Sequence, residues 1–134
     1  MTDNNATSQL YNDKLILIVE DEHDLRFVYT EMLTDAGYKV EGAADGQEGS
    51  QKIASLKWDL LLLDIMLPGK DGLKILKELS EHPELKKGPV ITLTNLNSEQ
   101  IVKECMSAGA DGYLIKSEIT PDKIVQEVGA FLNK

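Results

Sequence analysis

Five short apolar runs, each separated from the next by a segment of helical period, constrain this chain to one kind of architecture. The runs are LILIV (15–19), YKVEGA (38–43), WDLLLL (58–63), PVITLT (89–94) and GYLIK (112–116). Between the first two, Leu25, Val28, Met32 and Leu33 recur at helical spacing through residue 36. Asp45 and Glu48 make a capping box that opens a helix to about residue 55. DGLKILKELS (71–80) sets Leu73, Leu76 and Leu79 on one face. Asn97 and Ser98 are cap candidates for a helix over 98–108. Thr120-Pro121 then reads as N-cap and first helical position of a last helix, with Ile124, Val125, Val128, Phe131 and Leu132 turned inward.

Strands that alternate with helices are joined by right-handed crossovers, which gives an α/β fold: a parallel sheet covered on both faces. LILIV, LLLL and VITL are continuously apolar, as strands buried on both sides must be, whereas YKVEGA alternates like an edge strand. The order 2-1-3-4-5 places that alternating strand at the margin, which is the flavodoxin-like doubly wound arrangement of five strands and five helices. Residues 1–12 are polar and aperiodic and read as a flexible tail, leaving 13–134 as one domain.

Composition narrows the function classes. With 134 residues and 42% hydrophobic content, the chain is long enough for one sizeable core. Its 14 basic and 23 acidic residues leave a net charge of -9, which repels nucleic acid and anionic membrane surfaces. A single cysteine, Cys105, provides neither a disulfide framework nor a zinc cluster and reads as an inward-facing small apolar residue. No run approaches the roughly 18 apolar residues of a membrane span, so the expectation is a cytoplasmic protein.

In doubly wound sheets ligands bind beyond the carboxyl ends of the strands, at the switch point between strands 1 and 3. Strand 1 runs into Glu20-Asp21, strand 3 into Asp64, strand 4 ends in Thr94, and strand 5 ends in Lys116. Neighbouring strands lie about 4.8 Å apart, so carboxylates leaving strands 1 and 3 at one edge are close enough to share a cation. A hard divalent ion such as Mg²⁺ suits an all-oxygen site that keeps positions for water and phosphate. A phosphoryl group on Asp64 would there meet a metal, a hydroxyl and an ammonium, the ingredients of phosphoryl transfer to a carboxylate nucleophile.

LILIVEDE, LLLLDIMLPGKDG, VITLTN and GADGYLIK together resemble the signature segments of response-regulator receiver domains, the CheY-like family of two-component signalling. The resemblance covers residues 14 to 133. It implies that Asp64 accepts phosphate from a sensor histidine kinase or His-containing phosphotransfer protein. By the same resemblance Asp21, Asp64 and the backbone carbonyl of Met66 ligate Mg²⁺, and Glu20 acts through a bound water. Lys116 pairs with the phosphate, while Thr94 hydrogen-bonds to it and couples to the ring of Tyr113 as a switch. The family implies at most self-phosphorylation from small phosphodonors and slow autodephosphorylation, rather than enzyme turnover. Its signalling surface, helix 4, strand 5 and helix 5 at about residues 98–133, would meet a downstream protein target or output domain. The resemblance also allows a phosphorylation-dependent homodimer.

Two positions depart from the family pattern. Asn95 stands where a small residue usually follows the switch hydroxyl, and Ser117 stands where a cis proline usually follows the lysine. A cis bond before Ser costs roughly 2.5–4 kcal/mol, which favours a trans Lys116–Ser117 bond. These departures motivate an alternative, a pseudo-receiver that keeps the fold as an interaction module. An aspartate-nucleophile phosphatase of the haloacid dehalogenase type fits less well, because Met66 occupies the offset where a second Asp is needed. His23 and His82 read as surface histidines and Trp58 as an anchor of the third strand. GADG and LPGKDG read as turns without the spacing of a dinucleotide or P-loop fingerprint.

Overall fold

A computed structural model describes residues 13–95 and 99–133. The expected tail over residues 1–12 and the cap candidates Asn97 and Ser98 lie outside the described residues. The elements alternate as expected: β1 (Leu15–Val19), α1 (His23–Asp35), β2 (Lys39–Ala43), α2 (Gly46–Ser55), β3 (Leu60–Asp64), α3 (Gly72–Glu81), β4 (Val90–Thr94), α4 (Glu99–Ser107), β5 (Gly112–Ile115) and α5 (Pro121–Leu132). All strands are parallel, in the order β2-β1-β3-β4-β5, with the half-polar β2 at one edge.

Strand alternation sorts the core into two layers. Leu17, Val19, Leu61 and Leu63 face α2, α3 and α4, where Ile53, Ile75, Leu76, Leu79 and Cys105 complete a buried cluster. Ile16, Ile18, Leu60, Leu62, Ile91, Leu93 and Leu114 face α1 and α5 and close over Tyr29, Leu33, Ile124 and Val128. At about 25 cal/mol per Å² of apolar area removed from water, these two layers are the main source of stability. Trp58 is buried below β3 and its indole N–H donates to Ile53 O at 3.1 Å, the anchoring role expected of it.

The caps explain where several helices begin. Asp45 accepts from Glu48 N at 2.8 Å, and the Glu48 carboxylate returns to Ala44 N at 2.7 Å, one residue before the cap. Asp71 caps α3 through Lys74 N, and Thr120 caps α5 through Lys123 N.

The inward face of α1 differs from the expected one. Val28 is 41% exposed and Phe27 58%, while Tyr29 and Leu33 are buried and Leu25 and Met32 are partly so. Phe27, Val28 and Tyr29 are consecutive apolar residues, so spacing alone fits two phases of the helix. Packing selects the phase that turns Tyr29 inward and leaves Phe27 and Val28 at the surface. On α3, Ile75 joins Leu76 and Leu79 in the core, while Leu73 packs at its margin.

Candidate functional site

The two inner rows that face α1 end in the reactive groups. Ile16 and Ile18 are followed in their row by Glu20, and Leu60 and Leu62 by Asp64, so both carboxylates emerge on the same side of adjacent strands. Leu114 is followed in the same sense by Lys116, which opens a 3-10 turn over Lys116–Glu118. Its long side chain spans the intervening β4. The ammonium lies 2.7 Å from Asp64 Oδ2 and 2.7 Å from Glu20 Oε1, and all three side chains are almost fully buried. Among the described residues Glu20 Oε1 has no partner besides this ammonium.

The main chain fixes both acids. Glu20 donates its N–H to Ala43 O, its carbonyl accepts from Arg26 Nη1 at 2.7 Å, and its Oε2 accepts from Glu22 N at 3.0 Å. Asp64 Oδ1 accepts from Met66 N at 3.0 Å, which folds the following loop back over the strand end. Gly72 N donates to Ile65 O, closing that loop at the start of α3. The loop turns at Gly69, whose φ of 79° is a left-handed conformation that glycine adopts without steric cost.

Glu20, the exposed Asp21 and Asp64 each present an oxygen within 4.8 Å of the others. Burial, together with the negative charge of Glu20, outweighs the hydrogen bond from Lys116 and pushes the Asp64 carboxyl up to about 7. For Lys116, burial opposes the charge, but the hydrogen bonds and charges of Asp64 and Glu20 prevail and raise its pKa. The ammonium therefore stays charged while the two carboxylates compete for one positive neighbour. A hard cation fits this donor set: carboxylates only, closely spaced, and short of positive charge.

Thr94 ends β4, buried, opposite Ile115, and β4 pairs with β3 so that Asp64 is level with Leu93. Tyr113 is in register with Thr92 and is 45% exposed. Hydroxyl and ring thus lie on neighbouring strands, two register positions apart. Asn95 is exposed beside the site, and no cis peptide bond occurs among the described residues, the Lys116–Ser117 bond included. His23 and His82 are exposed.

Several contacts around the site carry no simple signal in the sequence. Arg26 reaching back to Glu20 O is one. The glycines are another: a Cβ on Gly72 would collide with Asp64 O, and one on Gly46 with Lys70 O. Asp45-Gly46 is visible as the start of a capping box and Asp71-Gly72 as part of a turn, but not the close backbone approach that each glycine permits.

The sequence model of the response regulator receiver domain matches residues 16–129. The chain is 32% identical to the transcriptional regulatory protein ResD of Bacillus subtilis over 92% of its own length and 50% of ResD's. It therefore spans about half of that relative. Among solved structures it is similar to a putative response regulator from Chloroflexus aurantiacus, with 33% identity, a TM-score of 0.83, and 90% and 98% of the two chains covered. It is also similar to the BeF3-activated N-terminal receiver domain of Klebsiella pneumoniae RstA, with 30% identity, a TM-score of 0.82, and 90% and 100% covered. Among the described residues no helix is long and apolar enough to cross a membrane.

Proposed function

The chain belongs to the response regulator receiver domain family, and on that premise we propose that Asp64 accepts a phosphoryl group in a magnesium-dependent reaction and thereby switches a protein-binding surface. The observation that carries the proposal is the buried Lys116 ammonium, 2.7 Å from both Asp64 and Glu20, above three acidic side chains that offer oxygens within 4.8 Å.

The donor is a phosphohistidine on a sensor histidine kinase or a His-containing phosphotransfer protein. The donor's N–P bond breaks as a bond forms from an Asp64 carboxylate oxygen to phosphorus, and the departing imidazole keeps the electron pair and takes up a proton. Asp21, Asp64 and the Met66 carbonyl are the groups that would hold Mg²⁺, with Glu20 acting through water. When bound, the ion supplies positive charge between the carboxylates and the arriving phosphoryl oxygens. Lys116 exchanges its contacts with Asp64 Oδ2 and Glu20 Oε1 for one with the phosphoryl group, and the Met66 N–H continues to orient the carboxylate. Thr94, at the end of the neighbouring strand, takes a further phosphoryl oxygen and draws Tyr113 inward.

Output runs through α4, β5 and α5. Met106 and Tyr113 are exposed there, beside exposed Glu99, Lys103 and Glu104, a mixed apolar and charged face suited to a protein target, an output domain or a second copy of the chain. Incubation with Mg²⁺ and a small phosphodonor, followed by intact mass, tests the reading. One phosphoryl group is expected on the wild type and none on Asp64→Asn. No addition to the wild type, and no response to beryllium fluoride, identifies an interaction module that is not regulated by phosphate.

A further inference from the structure

Tyr29 takes no part in the chemistry described above, yet it belongs to the buried layer whose strand rows end in Glu20 and Asp64. The residue sits on the inner side of α1, 2% exposed, and its hydroxyl has no hydrogen-bond partner among the described residues. Glu20 Oε1 is a buried carboxylate oxygen whose one partner among the described residues is the Lys116 ammonium, at 2.7 Å. Both groups belong to one layer, because Glu20 continues the Ile16–Ile18 row and those two residues share a cluster with Tyr29. Burial first, and then the negative charge of Glu20, pushes the phenol up to about 12, so it remains a proton donor. Lys116, Asp64 and Glu22 are the other charges that act on it. A phenylalanine would place the same ring in this apolar layer, so the hydroxyl is the part that packing leaves unexplained.

We propose that Tyr29 is a positioning residue whose hydroxyl donates to Glu20 Oε1 when Lys116 turns from Glu20 to the phosphoryl group on Asp64. The inference rests on the phosphoacceptor reading, since that reading moves Lys116. Without a replacement donor, Glu20 would lose the one partner that oxygen has among the described residues, at the moment when its orientation toward the cation site matters. An unmade hydrogen bond to a buried charged group is costly, whereas the waiting phenol is a smaller burden on the resting state.

The test compares wild type with Tyr29→Phe, which keeps the ring and removes the hydroxyl. Mg²⁺ affinity is measured by calorimetry in the presence of beryllium fluoride, and thermal melting is measured in metal-free buffer. Tyr29→Phe is expected to bind Mg²⁺ about fivefold more weakly, the ratio that corresponds to one net hydrogen bond. It is also expected to melt at or above the wild-type temperature, because an unpartnered buried hydroxyl has been removed. Unchanged affinity overturns the inference. So does weaker binding accompanied by a lower melting temperature, which would assign Tyr29 to packing. Either result leaves the phosphoacceptor reading standing if wild type responds to Mg²⁺ and beryllium fluoride. If wild type does not respond, that reading fails and the inference falls with it.

Discussion

Gly72 lies so close to the main-chain carbonyl of Asp64 that a methyl group on its α-carbon would displace the carbonyl oxygen. The start of α3 is thereby packed directly on the backbone of the candidate nucleophile, and its N–H also ties down Ile65 O. Gly72→Ala is expected to cost about 1–3 kcal/mol, as overpacking of a tight contact does, and to slow phosphorylation by shifting Asp64 from Lys116. Denaturant unfolding and the rate of phosphate incorporation check the two parts.

The Lys116 ammonium contacts two buried carboxylates at once. Lys116→Met leaves both without a cation, and removing one partner from a buried ionic cluster costs about 3–5 kcal/mol. Stability is expected to recover in part on addition of Mg²⁺, which distinguishes loss of charge from loss of packing. Phosphate incorporation is expected to fall by about 10²-fold, the scale for removal of a group that stabilises transferring charge.

Asp64 makes metal-free stability depend on pH. Its carboxyl is pushed from the ordinary 3.8 up to about 7, so between those values the folded chain binds a proton that the unfolded chain has released. The stability this provides is fully present below about 4 and is lost as pH rises through about 7. Asp64→Asn is expected to flatten the dependence and to stabilise the chain at neutral pH by roughly 0.5–2 kcal/mol, as relief of a strained functional site commonly does. Melting temperatures from pH 4 to 8 in chelator decide it.

The fold was legible because hydrophobic period reports burial directly. Continuous apolar runs marked β1, β3 and β4, and the half-polar YKVEGA marked the edge. The acids were legible because a strand end is a fixed place: Asp64 and Glu20 had to appear where their rows left the core. Contacts made by backbone or by long side chains were not. Lys87, for example, reaches from the loop before β4 to Ile53 O, Ala54 O and Leu56 O and ties down the end of α2, and its place in the sequence gives no hint of this. Asp59 and Asp111 accept from Leu15 N and Val90 N at the opposite, N-terminal ends of the strands, so acids near strands also serve purely structural ends. The phase of α1 was illegible because Phe27, Val28 and Tyr29 are adjacent, and only three-dimensional packing chooses among them.

The central claim is that Asp64 is the nucleophile of a single magnesium-dependent cup. Peptide-level mass spectrometry after treatment with a small phosphodonor, with Mg²⁺ or with chelator, tests it most directly. The account predicts one phosphoryl group, on the peptide that contains Asp64, formed with Mg²⁺ and not in chelator. A phosphoryl group on another residue, or equal incorporation without the ion, would contradict it.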